Sequence, residues 1–440
     1  MQLEQMNLEQ LQNEEKNLLS THQQFLDSSL KLDLTRGKPS AEQLSLSEGM
    51  EGLLAGKMIH EDGTDLRNYG GANGIPEARQ LGADMLGLTA DEVMVGDHTS
   101  LTLMYLYLLH AYYHGVQGAE TAWVKEGQVK FICLVPGYDR HFTICEELGI
   151  EMINVPFLED GPDLEQIEAL VEQDSKIKGI WCVPKYSNPT GHIYSSEAVK
   201  RIARLGLKAG ANFRVMWDNA YGVHDLESSP PVLEPIMEHA RAAGCEDSII
   251  QVASTSKITF AGGGISFIGG SLNNLNHFRK RLSVMTIGPN KLNQRRHMLF
   301  LQDLDGVKAL MKEHAEILSP KFKTVEKHLN DGLQGRGMGS WSSPRGGYFV
   351  SYDAPPGTAK EIIRLAGEAG VKLTPAGATF PYQNDPNDAN IRLAPTFPVL
   401  EEVDQAMKVF VNCVKLACIQ QRIKNEKLKL GTKNKRLSPR

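Results

Sequence analysis

The sequence has no apolar run long enough to cross a bilayer, so membrane-spanning helices are excluded. It has no Cys-x-x-Cys pair either. Its six cysteines, Cys133, Cys145, Cys182, Cys245, Cys413 and Cys418, are scattered without metal-ligand spacing. Several lie inside apolar runs such as "FICLV" and "IWCVP", where a reduced thiol behaves as a small hydrophobe. That usage fits a reducing compartment, and a cytoplasmic protein is expected. The amino terminus "MQLEQMNLEQLQNEEKNLL" is acidic and amphipathic, with no continuous apolar core, and does not read as a secretory leader. Positive charge is not in excess: 47 Lys and Arg against 53 Asp and Glu give a net charge of −6. The body of the protein therefore offers no general surface for nucleic acid. The basic segment 424–440 is the exception and reads as a flexible solvated tail. Internal repeats are absent.

What remains is an ordinary globular composition, with 41% hydrophobic and 23% charged residues over 440 positions. Two or three domains are expected. Leucines and methionines at helical spacing predict a helix or helix pair over residues 2–30. Six β-rich runs follow: "FICLVPG" (131–137), "IEMINVPF" (150–157), "IKGIWCVP" (177–184), "FRVMWDNA" (213–220), "SIIQVAST" (248–255) and "ISFIGGS" (265–271). Helical stretches at 139–148, 164–173 and 195–209 alternate with them. Such alternation predicts an α/β domain whose mainly parallel sheet lies between helices. Residues 272 to about 330 read as helical. A strand in "GGYFVSYD", a helix at 358–369, "VKLTPAG", "NIRLAP" and a final helix to about 423 predict a smaller α+β domain. The expected divisions are 1–50 with the small domain, 51–300 as the large domain and 301–423 as the rest of the small one.

Ligands of open parallel sheets bind beyond the carboxyl ends of the strands. Asn188 in "VPKYSNPTG", Asp218 and Tyr221 in "VMWDNAYG", and Lys257 in "VASTSK" occupy such ends. Downstream, "NIRLAP" supplies Arg392. Each has an ordinary explanation taken singly: a turn, a helix cap, a core tyrosine, a loop lysine, a structural ion pair. Lys257 is the unusual one. It stands in "ASTSKITFAGGGISFIGG", among side chains too small to obstruct anything.

Taken in order, with 30 residues from Asn188 to Asp218 and 39 from there to Lys257, these residues resemble the fold type I pyridoxal-phosphate (PLP) enzymes of the aspartate aminotransferase superfamily. The likeness runs from "LTRGKPS" through the final helix. It implies a large domain with a seven-stranded type of sheet and a smaller α+β domain. Under it, Lys257 carries the cofactor as a Schiff base, which requires a neutral and accessible amine. Asp218 pairs with the pyridine nitrogen, and Tyr221 and Asn188 bond the ring oxygen. Ser254, with Thr99 and Ser100 at a helix start in "VGDHTSLTLMYL", binds the phosphate. Tyr138 in "PGYDRH" stacks on the ring and His141 backs Asp218. Arg392 clamps the substrate α-carboxylate. Gly37 belongs to a loop over the substrate, and Tyr69 in "RNYGGANG" reaches the neighbouring subunit's cofactor, which implies a homodimer with shared sites.

Two departures stand out. Where most relatives have a phosphate-binding arginine seven or eight residues after the lysine, this chain has Gly264 and Ile265. No counterpart to the usual distal-carboxylate arginine aligns, so Arg36, Lys291 and Arg295 become candidates. With "STSKITFAGGG" and "GPNKLNQRRH", these features resemble the type Ic aspartate aminotransferases. The resemblance implies transamination between an L-amino acid, aspartate by preference, and a 2-oxo acid such as 2-oxoglutarate. A lyase or decarboxylase on the same scaffold is the alternative. A non-enzymatic regulator of this fold is disfavoured, because about 35 residues precede the matching segment and leave little room for a DNA-binding domain.

Overall fold

Six apolar runs set the frame of the larger folding unit. In this computed structural model, which describes residues 2–436 and side chains as far as residue 429, all six are strands. The sheet contains β1 (Val93–Gly96), β2 (Lys130–Val135), β3 (Glu151–Leu158), β4 (Gly161–Pro162), β5 (Ile177–Cys182), β6 (Arg214–Asp218), β7 (Ile249–Ser254) and β8 (Ser266–Gly270). Their spatial order is β1-β8-β7-β6-β5-β2-β3-β4. The run from β3 through β7 is parallel, while β8 lies antiparallel to both β7 and β1. Seven strands thus form the body, and the two-residue β4 adds an eighth at the edge.

Every residue of β5 and β6 is buried, as strands covered on both faces should be. On one side Ile132, Val155, Ile180 and Trp217 pack with Ile167, Val199, Ile202 and Met237 from helices. A second cluster joins Val93, Val95, Ala253 and Phe267 to Ala78, Leu81, Met298 and Val307. Each of the larger aliphatic and phenylalanine side chains contributes about 1.5–3 kcal/mol of transfer free energy, before the entropy of ordering is subtracted.

The chain divides into two compact units. The larger comprises Ala41–Ile317 and Pro344–Gly347; the smaller comprises residues to Ser40, Leu318–Ser343 and the chain from Tyr348 onward. The divisions fall after Ser40 and Ile317, whereas the sequence reading drew them after residues 50 and 300. In the smaller unit the three-stranded antiparallel sheet has Val350–Asp353 between Ser340–Trp341 and Asn390–Leu393. The amino-terminal helix Leu8–Asp27 begins with a reciprocal cap between Asn7 and Gln10. The last helix runs from Leu400 to Arg436. It passes residue 423, where the sequence reading ended it; residues 437–440 of the expected tail lie outside the described residues. Among the described residues, no helix is long and apolar enough to cross a membrane. All six cysteines are free and buried.

Candidate functional site

The parallel sheet brings most of the predicted residues of the larger unit to one edge. Asp218 is the last residue of β6 and Ser254 the last of β7. Tyr138 and His141 follow β2, and Asn188, itself buried, follows β5. Because β1 and β7 both run antiparallel to β8, the end of β1 points the same way. It leads into the helix Ser100–His114, where Thr99 is the N-cap and its Oγ1 accepts from the Leu101 amide at 3.2 Å.

Asp218 is buried, with its carboxylate held from one side. His141 Nε2 lies 3.0 Å from Oδ2, so the imidazole N–H donates to that oxygen. Trp181 from β5 stacks on the His141 ring, with centroids 4.2 Å apart and planes 6° apart. Tyr138 meets the same imidazole edge-on at 5.0 Å. The other carboxylate oxygen, Oδ1, is buried and has no hydrogen-bond partner among the described residues. A buried carboxylate oxygen left unpaired is costly, and the natural occupant of its free side is a donor from a bound molecule.

Lys257 lies in the turn after β7, half-buried, with Nζ 5.0 Å from the centre of the Tyr221 ring. Burial lowers its pKa from the ordinary lysine value, and the negative charge of Asp218 works in the opposite direction. The small residues around it hold the turn. Thr255 Oγ1 accepts from the Ile265 amide at 2.9 Å, and Thr255 N donates to Ile265 O at 2.8 Å. Ser256 Oγ donates to His98 O at 2.5 Å, which ties the lysine turn to the segment preceding Thr99 and Ser100. A Cβ on Gly264 would lie 2.9 Å from Ser256 N, so the glycine lets the two sides of the loop close. Ile265 is core, with 1% of its surface exposed. Neither position could direct an arginine into the site, which explains one departure physically. Beneath the turn, His314 Nε2 donates to Ile258 O at 3.0 Å while Nδ1 accepts from Gln43 at 2.9 Å.

The smaller unit holds a second group. Arg392, central in Asn390–Leu393, is buried, with Nε donating to Thr374 Oγ1 at 3.4 Å. Its guanidinium lies 4.9 Å from the Phe349 ring centre. Thr374 donates in turn to Thr35 O at 2.8 Å. A Cβ on Gly37 would stand 2.5 Å from Phe349 Cζ, so the loop carrying Gly37 packs directly on the ring that supports Arg392. Arg36 is exposed and has no ion-pair partner among the described residues.

Other candidates are occupied elsewhere. Arg295 bonds Glu61 at 2.7 Å and Glu77 at 3.1 Å. Lys291 Nζ donates to Asn68 O and Gly70 O at 2.8 and 2.7 Å. Both cations are thus engaged within the larger unit. Lys291 fixes the loop of Tyr69, which is 84% exposed. Sequence reasoning missed Trp181 and Phe349, whose apolar surroundings marked them as core. Only their aromatic character, close in sequence to Asn188 and to "GGYFV", could have drawn attention.

A family model described as aspartate amino-transferase matches residues 6–426. An aspartate aminotransferase of Corynebacterium glutamicum is 44% identical over 393 residues, covering 89% of this chain and 90% of that protein. The crystal structure of an aspartate transaminase from the same species superposes with a TM-score of 0.92 at 42% identity, covering 96% of this chain and 99% of the other. At 20% identity, an α-aminoadipate aminotransferase from Thermus thermophilus, solved with N-(5'-phosphopyridoxyl)-L-leucine, has a TM-score of 0.71 and covers 88% of this chain and 92% of its own. That more distant likeness speaks for the fold.

Proposed function

The chain belongs to the aspartate amino-transferase family and is an aminotransferase that uses pyridoxal 5'-phosphate, and on that premise we propose that it moves the amino group of L-aspartate to a 2-oxo acid such as 2-oxoglutarate. The observation that carries the residue assignment is Asp218: one oxygen is fixed by His141, and the other is buried without a partner. That oxygen suits a protonated pyridine nitrogen, so the residues fit the cofactor.

When bound, the cofactor's ring accepts the electron pair left when the substrate α-proton departs. Asp218 keeps the pyridine nitrogen protonated through a charge-assisted hydrogen bond, and His141 and Trp181 hold its carboxylate in place. Lys257, its amine made less basic by burial, would take the α-proton from the substrate carbon and hold it on Nζ. Asn188 and Tyr221 would hold the ring oxygen, and Tyr138 would stack on the ring. Thr99, Ser100 and Ser254 meet the phosphate with the amides at the start of Ser100–His114, where the helix dipole favours an anion. Arg392 receives the α-carboxylate in a bidentate bond, oriented by Phe349 and Thr374. Gly37 allows its loop to lie against that ring.

Arg36 is the distal cation of the proposal. What supports it is its place beside Gly37, its exposure and its lack of an ion-pair partner among the described residues. A homodimer is supported by the Tyr69 loop. Tyr69 stands 84% exposed beside a second loop in which Val284, Met285 and Ile287 are 85, 57 and 62% exposed. The loops touch where Gly288 packs against Gly70. Such an apolar patch is what a partner subunit would cover. A cytoplasmic setting fits the free cysteines. The test is turnover with aspartate and alanine as alternative donors. Aspartate should be preferred, and Arg36→Gln should reduce kcat/KM for aspartate about tenfold or more while sparing alanine. Preference for alanine, or equal losses for both donors, contradicts the assignment.

A further inference from the structure

A cavity of about 390 Å³ lies wholly in the smaller unit, away from the Arg392 group. That volume is within the range of small-molecule sites. One wall is the amino-terminal helix, which turns Gln10, Asn13, Glu14 and Asn17 toward it. These positions recur at the spacing that keeps one helical face aligned, so the helix offers the cavity a polar stripe, with Glu14 half-buried and the other three exposed, while Leu11 and Leu18 face the core. The opposite wall brings Arg336 and Lys415. Met338 and Ile419, both buried, form an apolar floor with Met6.

The charges are unbalanced. Arg336 and Lys415 are half-buried, and neither has an ion-pair or side-chain hydrogen-bond partner among the described residues. Lys415 has its pKa lowered, first by burial and then by the positive charge of Arg336, with Glu14 opposing. Two cations that repel each other in a partly desolvated wall are stabilised by an anion placed between them. The amides add donors. The Gln10 side-chain carbonyl accepts from Asn7 N at 2.9 Å, which leaves its NH₂ available, and the Asn13 and Asn17 side chains have no partner among the described residues.

We propose that this cavity binds a small organic carboxylate with an apolar stem, its carboxylate on Arg336 and Lys415 and its stem on Met6, Met338 and Ile419. A guanidinium beside an ammonium matches a planar carboxylate. Glu14 gives the site a place for an ammonium group, so a free apolar amino acid and its 2-oxo acid share the recognised chemistry and differ at Glu14. The occupant would clamp the amino-terminal helix to the carboxy-terminal one.

The site can be read directly in the full-length holoenzyme labelled with ¹³C at methionine methyls. The chain has 15 methionines, and Met6→Leu and Met338→Leu would assign the two cavity signals. L-leucine, 4-methyl-2-oxopentanoate and isoamylamine are titrated separately. One or both carboxylates should shift the Met6 and Met338 signals, and isoamylamine should not. R336Q/K415Q should weaken that binding about tenfold or more, with cofactor absorbance and far-UV circular dichroism unchanged. If Glu14→Gln weakens leucine alone, the amino acid is the occupant; if leucine is unaffected, the 2-oxo acid is. No shift below about 10 mM, shifts caused equally by the amine, or equal affinity in the double variant overturns the proposal.

Discussion

Replacing Asp218 by asparagine keeps the side chain's shape and removes one charge. The wild-type carboxylate is 3% exposed, with Oδ2 at 3.0 Å from His141 Nε2 and Oδ1 unpartnered among the described residues. In the variant, the amide oxygen keeps the bond from His141, because that nitrogen is a donor. The NH₂ group then takes the place of Oδ1. A donor would face the pyridine N–H where a charged acceptor stood. A hydrogen bond to a charged group is worth about 1.5–3 kcal/mol, and leaving its buried partner unsatisfied adds to the loss. We expect about 2–4 kcal/mol, or roughly 30- to 1,000-fold, in the step that removes the α-proton. Stopped-flow single turnover with aspartate, and with aspartate deuterated at the α-carbon, isolates that step. Cofactor affinity should change much less. A second readout belongs to the charge alone: Asp218 raises the pKa of Lys257, so in the cofactor-free variant the lysine should titrate lower than in wild type. A single-turnover rate within about threefold of wild type would refute the reasoning.

Gly37→Ala drives a Cβ to 2.5 Å from Phe349 Cζ, an overpacking worth about 1–3 kcal/mol. Displacement of the ring should raise KM for every carboxylate substrate about 5- to 150-fold, and Phe349→Leu in the same chain should recover part of the loss; an unchanged KM removes Gly37 from the account. His297 and His314 are both pushed down to about 4 by burial. An unfolded histidine takes its proton near the ordinary value of 6.5, so between those pH values the unfolded chain binds more protons and stability falls as pH falls. Urea midpoints of the cofactor-free protein should drop between pH 7 and 5, and His314→Gln should flatten the slope; an equal slope in that variant contradicts the assignment to His314.

The parts legible in the sequence share one property, which is that their signal is local. Buried parallel strands appear as continuous apolar runs, and the residues at their carboxyl ends follow from chain order, so the places of Asp218, Lys257 and Asn188 could be read, while their roles came only from the resemblance. β1 was not found, because "VMVG" is short and becomes a strand through pairing with β8, more than 160 residues away. The ion pairs of Arg295 are hidden from the sequence for the same reason. Its neighbours in sequence are basic, but its partners are Glu61 and Glu77. The end of the last helix was set too early because residues 424–436 are polar; lysine, glutamate and leucine are good helix formers whether or not a face is buried. Trp181 and Phe349 look like core in one dimension, and their roles depend on stacking against His141 and Arg392.

The central claim is that Lys257 carries the cofactor. Purified protein should be yellow. Borohydride reduction followed by proteolysis and mass spectrometry should place the phosphopyridoxyl adduct on the peptide containing "STSKITF", at Lys257. Lys257→Ala should still bind the cofactor, lose turnover and show no adduct at that position. An adduct on another lysine, or full turnover in Lys257→Ala, would contradict the account.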